Sequence, residues 1–185
     1  MILLFSTSSA WASVALFSPE GELVFSEEAH SPMRASEACL RMISDLDLRR
    51  VRVFGADAGP GSFTGVKVGV TLAKTLAWAQ DASCCSVSAF DLIDRTSPVS
   101  IPIRRGVVLR RDPGTAPALV GDEEALAAAG YGLGRADEAF PLASRAEGWI
   151  AQVPTLSPID FVPDYLVEPS ISKPKKPLIL EGPGG

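Results

Sequence analysis

A mixed α/β sheet with helices packed on it is the fold class this sequence predicts. Within the first 25 residues, extended apolar segments follow one another across short turns, as in an antiparallel meander. From residue 31 to 87, helical and extended periodicities alternate. Between 51 and 79, an apolar run, a Gly/Pro-rich turn and a long helical pattern form a strand–loop–helix unit. Antiparallel strands followed by alternating helices and strands call for a sheet of mixed direction.

Each element has a local cause. Ile2 to Phe5 is an apolar run ending in the turn-rich Ser6-Thr-Ser-Ser. From Trp11 to Phe17 residues alternate, with Trp11, Ser13, Ala15 and Phe17 on one side and Ala12, Val14 and Leu16 on the other. Pro19-Glu-Gly is a turn, and Glu22 to Phe25 resumes in extended form. Ser31-Pro32 reads as a helix start, a serine cap before a proline at the first helical position. Apolar Cys39, Leu40, Met42, Ile43 and Leu46 then follow at helical spacing, giving a helix over 31–46. Val51 to Ala56 is the fourth strand, 64–79 the second helix, and Cys84 to Val87 the fifth strand. Ser88 caps a short helix through Asp94.

Beyond residue 96 the chain is richer in Pro and Gly. A strand is expected over 99–103, interrupted by Pro102, and another over 106–110. Asp122-Glu-Glu opens a short helix closed by Gly130, and Pro141 opens one with Leu142, Ala146, Trp149 and Ile150 on one face. Residues 161–167 read as extended, and 173–185 have the composition of a flexible tail. The expected division is 1–96, 97–172 and 173–185.

The second helix is hardly amphipathic. Gly65, Gly69, Ala73 and Ala77 make one row, and Val68, Leu72 and Leu76 the next. Two interior glycines cost about 1 kcal/mol each relative to alanine. A small-residue row lets another backbone approach. A helix apolar on more than one face is buried on more than one face, either deep in the domain or between its own sheet and a partner.

Totals narrow the function classes. With 17 Lys and Arg against 22 Asp and Glu, the net charge of −5 makes the chain a poor non-specific ligand for nucleic acid. Cys39, Cys84 and Cys85 are odd in number and two are adjacent, unlike a secreted disulfide framework. With His30 as the sole histidine, no multi-histidine metal site is possible. The apolar start lacks a basic flank and stops at Phe5, unlike a leader peptide. No stretch reaches the roughly 20 apolar residues of a membrane span. The cytoplasm is the expected location.

Candidate chemistry is sparse. The run Gly-Pro-Gly-Ser-Phe-Thr-Gly at 59–65, followed by Lys67, has the strand-to-helix context of a phosphate loop but not its spacing. A tight turn with Ser62 or Thr64 capping the helix explains it better. Asp57, between strand and loop, stands where enzymes place a catalytic or metal-binding acid, or is simply a capping aspartate. Ser6, Thr7 and Ser8 with His30 would be the parts of a hydrolase triad, but no Gly-x-Ser-x-Gly elbow exists. Cys84 and Cys85 read as small buried hydrophobes on opposite faces of a strand. Arg104, Arg105, Arg110 and Arg111, with Lys173, Lys175 and Lys176, are the basic clusters that could face RNA.

The 59–65 run, Val66-Lys-Val-Gly69 and the alanine-rich helix containing Lys74 resemble the signature of the TsaB (YeaZ) family. So do Ser6-Thr-Ser, Ser13-Val-Ala-Leu, His30-Ser31 and Pro163-Asp-Tyr-Leu. The resemblance is concentrated in residues 1–95. It implies an actin/Hsp70/sugar-kinase-like (ribonuclease H-like) fold with a reduced second lobe. It implies a non-catalytic subunit with no catalytic, cofactor or metal residues of its own. Its partners would be a TsaD-type paralogue, which threonylcarbamoylates the adenosine beside the tRNA anticodon, and a TsaE-type ATPase. Alone it would form a homodimer, and it would meet tRNA only through the complex. The implied contact lies on the two helices, with Met33, Glu37 and Leu40 from the first. Gly61, Phe63, Gly65, Val66, Val68, Gly69, Leu72, Ala73 and Leu76 come from the loop and the second. The family's first strand usually ends in an acid before Thr-Ser, and Phe5-Ser6-Thr7 stands in its place, which argues against nucleotide chemistry. The alternatives are a self-associating degenerate homologue and a peptidase- or kinase-like enzyme on the same fold.

Overall fold

The structure, a computed structural model, describes residues 1–166. Val167, the expected tail and its three lysines lie outside the described residues.

β1 (Ile2–Ser6), β2 (Trp11–Phe17) and β3 (Leu23–His30) form the predicted antiparallel meander. β1 is buried on both faces, which is why it is an unbroken apolar run. β2 alternates because its two sides enter different cores: Ala12 and Val14 go to one, Ala15 and Phe17 to the other.

β3 runs five residues past the expected Phe25, and this corrects the first helix. His30 pairs with Trp11, and the Ser31 amide donates to the Ala10 carbonyl (2.9 Å). The ladder therefore holds the residues that were to cap a helix. Pro32 and Met33 make a turn instead, with Met33 at φ +65°. α1 (Ala35–Met42) starts after Arg34 with no side-chain cap and is half the expected length.

A 3-10 turn, Leu48–Arg50, leads to β4 (Val53–Asp57), parallel to β1. α2 (Phe63–Ala79) follows, capped as predicted by Ser62 Oγ, which accepts from the Gly65 amide (3.3 Å). β5 (Ser83–Val87) lies parallel to β4. Ser88 Oγ accepts from the Phe90 amide, but 88–94 forms turns, not a regular helix.

The second sheet contains β6 (Val99–Arg104), β7 (Val107–Arg111), β8 (Ala118–Val120) and, after α3 (Asp122–Leu126), β9 (Ala129–Gly130). Its order is β8-β7-β6-β9. Pro102 is tolerated in β6 because the register shifts beside it. α3 ends before Gly130, which pairs with Ser100 in β9.

The chain then returns to the first sheet. Two 3-10 turns, Ala143–Ala146 and Ile150–Gln152, replace the single helix expected after Pro141, with Gly148 at φ +77° between them. β10 (Thr155–Leu156) pairs with β5 and completes the order β10-β5-β4-β1-β2-β3.

One core lies between this sheet and α1/α2 and includes Phe5, Phe54, Val66, Val70 and Phe161. The opposite core packs Leu4, Phe17 and Leu92 against Ala143, Ala146 and Ile150. A third joins Phe90 and Ile93 to Val99, Ile101 and Leu109 of the second sheet. Cys84 enters the first core and Cys85 the second, as strand alternation predicts. Burial pushes their thiols up to about 11 and about 12.

The small-residue row of α2 faces the protein's own sheet. A Cβ on Gly69 would lie 2.7 Å from Thr7 Oγ1 and 3.4 Å from the Ala56 Cβ, and one on Gly65 would strike the Thr7 carbonyl. Ala73 and Ala77 are fully buried along the same line. The Thr7 hydroxyl donates to the Gly65 carbonyl (2.7 Å), which ties helix to strand at this closest point. Gly65→Ala separates the two effects. Helix propensity alone would stabilise the variant by about 1 kcal/mol, whereas overpacking against a backbone carbonyl costs about 1–3 kcal/mol. Urea titration is expected to show net destabilisation.

Candidate functional site

The loop between β4 and α2 directs its polar backbone groups into its own chain. The Ala58 amide donates to the Val87 carbonyl (2.9 Å), and the Ser62 amide to the Ser8 carbonyl (2.7 Å). The Gly59 carbonyl accepts from the Ala89 amide, and the Ala58 carbonyl from the Asp164 amide (2.8 Å each). Lys67 Nζ lies 3.9 Å above the Phe63 ring. The loop is therefore a junction and helix cap, as its spacing implied.

The helix pair presents two kinds of position. Met33 is fully exposed, Leu40 is 52% exposed and Phe63 42%. Glu37 is exposed and forms a bidentate pair with Arg34. Val68, Leu72 and Leu76 are half-buried, the two leucines leaning on the core beneath. Gly61 and Gly65 are partly covered and face Ser8 and Thr7, while Val66, Gly69 and Ala73 are buried. Of the twelve expected contact residues, those on the outer side are thus Met33, Glu37, Leu40, Phe63, Val68, Leu72 and Leu76. The others lie behind them, against the sheet.

Asp57 ends β4 at 1% exposure, between Ser6 and Ser8 at the end of β1. The Ser6 hydroxyl approaches Asp57 Oδ2, and the Ser8 hydroxyl lies 3.0 Å from the same oxygen. Oδ1 has no hydrogen-bond partner among the described residues. Burial pushes the carboxyl up to about 6, opposed by hydrogen bonds from Ser6, Ser8 and Thr7. The native state holds the proton more tightly than the unfolded chain. The associated stability is full below about pH 4 and is lost as pH rises through about 6. The ionised acid costs the fold on the order of 3 kcal/mol.

The other candidates are not assembled into sites. His30 packs edge-on to Trp11 (5.7 Å between centroids) and makes no hydrogen bond to Ser6, Thr7 or Ser8. Arg110 pairs with Asp112 and Arg111 with Asp91 (2.8 and 2.6 Å), leaving Arg104 and Arg105 as the exposed part of that cluster. Among the described residues, no group of three or more His, Cys, Asp or Glu side chains could hold a metal ion. No helix among them is long and apolar enough to cross a membrane.

The sequence profile of the family described as "TsaD: tRNA N6-adenosine threonylcarbamoyltransferase" matches residues 30–97, which hold α1, β4, α2 and β5. The tRNA threonylcarbamoyladenosine biosynthesis protein TsaB of Bacillus subtilis (strain 168) is 33% identical over 97 residues, covering 50% of this chain and 42% of that relative. The match thus spans less than half of the relative's length. YeaZ from Pseudomonas aeruginosa has the same fold, with a TM-score of 0.71 at 20% identity over 89% of this chain and 99% of that one. A structure described as an uncharacterized protein with similarity to peptidase YEAZ from Pseudomonas aeruginosa gives 0.73 at 20% identity, over 90% and 99%.

These findings support a TsaB/YeaZ family assignment. The fold is the actin/sugar-kinase-like mixed sheet of the YeaZ structures, as expected.

Three features of the site were missed by sequence reasoning. Trp78, 74% exposed, ends the outer side of α2; its departure from the buried row was readable from the position of Lys74 one turn earlier. Tyr165 packs against Phe63 with its ring tilted (4.9 Å between centroids), a contact across about a hundred residues with no local signal. The Asp57–Ser6–Ser8 cluster joins strands about fifty residues apart, and only a strand pairing reveals it. Ser6 is a donor to Asp57. In Ser6→Asp, two carboxylates would share one buried site and compete for a proton. Ser6→Asp is expected to destabilise the protein by about 3 kcal/mol or more at pH 7.5, and less at pH 5, as read by chemical denaturation at both.

Proposed function

We propose that the protein is a non-catalytic scaffold subunit in threonylcarbamoyladenosine biosynthesis. In this reading it binds a TsaD-type threonylcarbamoyltransferase and supports modification of the adenosine beside the tRNA anticodon. A TsaE-type ATPase joins the assembly, tRNA is met through the complex, and the chain pairs with itself when alone, in the cytoplasm. Residues 1–96 serve as the pairing lobe and 97–172 as a reduced second lobe.

The observation that carries this reading is the outer side of α1 and α2. Large apolar side chains lie exposed there, at Met33, Leu40, Phe63 and Trp78, over half-buried Leu72 and Leu76. Isolated exposed apolar residues are ordinary; here three lie on the helix pair and Met33 in the turn just before α1, an arrangement that fits an interaction surface. The region with the family match holds both helices. A similarity to the Bacillus TsaB, named for this pathway, adds the biochemical context. The small-residue row stiffens this surface from beneath by holding α2 against the sheet.

Leu40→Asp and Phe63→Asp place a charge on the outer side without touching the buried row. Leu40→Asp is expected to leave the unfolding midpoint nearly unchanged, since exposed substitutions cost about 0.5 kcal/mol or less, and Phe63→Asp, which also loses the Tyr165 and Lys67 contacts, to lower it modestly. Each is expected to weaken binding to the TsaD-type partner at least tenfold in a titration followed on a sizing column. Full binding by the double variant would place the interface elsewhere. Modified tRNA formed from threonine, bicarbonate and ATP by this chain alone would overturn the non-catalytic assignment.

A further inference from the structure

Pro141 is where the chain comes back from the second sheet to the first, and its carbonyl meets the end of β1. The Ser6 hydroxyl lies 2.8 Å from that carbonyl and also contacts Asp57 Oδ2. A serine hydroxyl carries one proton and can donate to one acceptor at a time. Both acceptors are buried, as is Ser6 itself. With Asp57 ionised, the carboxylate is the stronger acceptor and draws the Ser6 proton as well as that of Ser8, so the Pro141 carbonyl goes without. With Asp57 protonated, the acid donates to Ser6 Oγ, and the Ser6 hydroxyl is free to donate to Pro141. Every contact in the row then has one proton.

We propose that the Asp57 proton is a pH-sensitive latch: through Ser6 it fastens the returning segment at 141–146 to the end of β1, and its loss to water loosens that segment. The inference is independent of whether the helix pair binds a partner.

The surroundings favour the neutral acid. Ser6, Thr7 and Ser8 from β1 are uncharged. Cys39 of α1 and Tyr131, in the loop after β9, are the ionisable groups that sense Asp57. Burial pushes the Cys39 thiol up to about 12 and the Tyr131 phenol well above its usual value, so both are neutral wherever Asp57 titrates. No Lys, Arg or His among the described residues pairs with Asp57 to hold it ionised. The raised carboxyl, near 6, sets the range in which the latch works.

A reporter sits in the segment itself. The Ala143 amide donates to Ser13 Oγ on β2 (2.9 Å), so its exchange follows opening of this contact. Hydrogen exchange of the full chain, corrected for intrinsic rates, is the test. An opening that solvates Asp57 links exchange to its proton, so protection is expected to rise ~30-fold from pH 7.5 to 4.5 and to be flat above pH 7. Asp57→Asn supplies a permanent amide donor in place of the acid proton, and its protection should be high and independent of pH. Ser6→Ala removes the relay while Asp57 stays buried, and should lower protection at pH 4.5 below that of the wild type. Wild-type protection that does not change with pH overturns the proposal without recourse to any variant. So does an Asp57→Asn profile that follows the wild type.

Discussion

α2 and the end of β1 come into backbone-close contact, and much of the structure depends on it. Thr7 donates its hydroxyl to the Gly65 carbonyl, and no side chain fits between helix and strand at Gly65 or Gly69. A helix this near its sheet needs a tight connection from β4. The Ser62 amide, bonded to the Ser8 carbonyl, supplies the anchor. The same approach buries Ser6, Ser8 and Asp57, because the strands' carboxyl ends lie where the helix begins. Ligand and charge chemistry in open α/β sheets gathers at such strand ends. Here the end is filled by the protein's own hydroxyls and by the chain returning at Pro141.

That packing explains why α2 is apolar nearly all round. Its inner side is small because the sheet is close, and its flanks are aliphatic because they seal the core around Val66, Val70 and Ala73. The outer side carries Phe63, Lys67, Thr71 and Trp78, with Leu72 and Leu76 half-covered. A glycine row can serve a partner helix or a parent sheet, and the sequence of one helix does not distinguish them. In this chain it serves the sheet. The exposed side of the helix is formed by large side chains, not by a small-residue row.

What was legible in the sequence follows the range of the forces involved. β2 and the start and cap of α2 could be read to within a residue, since alternation and a serine cap are local signals. The first helix was misplaced because Ser31-Pro32 is a sound local cap, but β3 outcompeted it by pairing through His30. In the second half, β8, β9 and β10 are three residues or fewer. Strands so short have no period of their own and exist only through neighbours supplied by distant chain. The Asp57 cluster was invisible for the same reason. Asp57 alone looks like any residue before a loop, and its environment arises only once β1 and β4 lie side by side.

The returning segment makes the first sheet depend on residues far along the chain. β10 adds its sixth strand, and Ala143, Ala146 and Ile150 close one face. Phe161 enters the core on the other face, and the Asp164 amide bonds the loop at Ala58. The first 96 residues therefore contain the helix pair but not all of the surface that covers their sheet. A fragment ending there would expose Leu4, Phe17 and Leu92 to water. Fully burying one such side chain contributes about 1.5–3 kcal/mol, so their exposure together is comparable to the whole stability of a small domain. The outer side of α1 and α2 is thus held in shape partly by Ala143, Ala146 and Ile150 on the far side of the sheet, and a change there reaches the helices through the strands between.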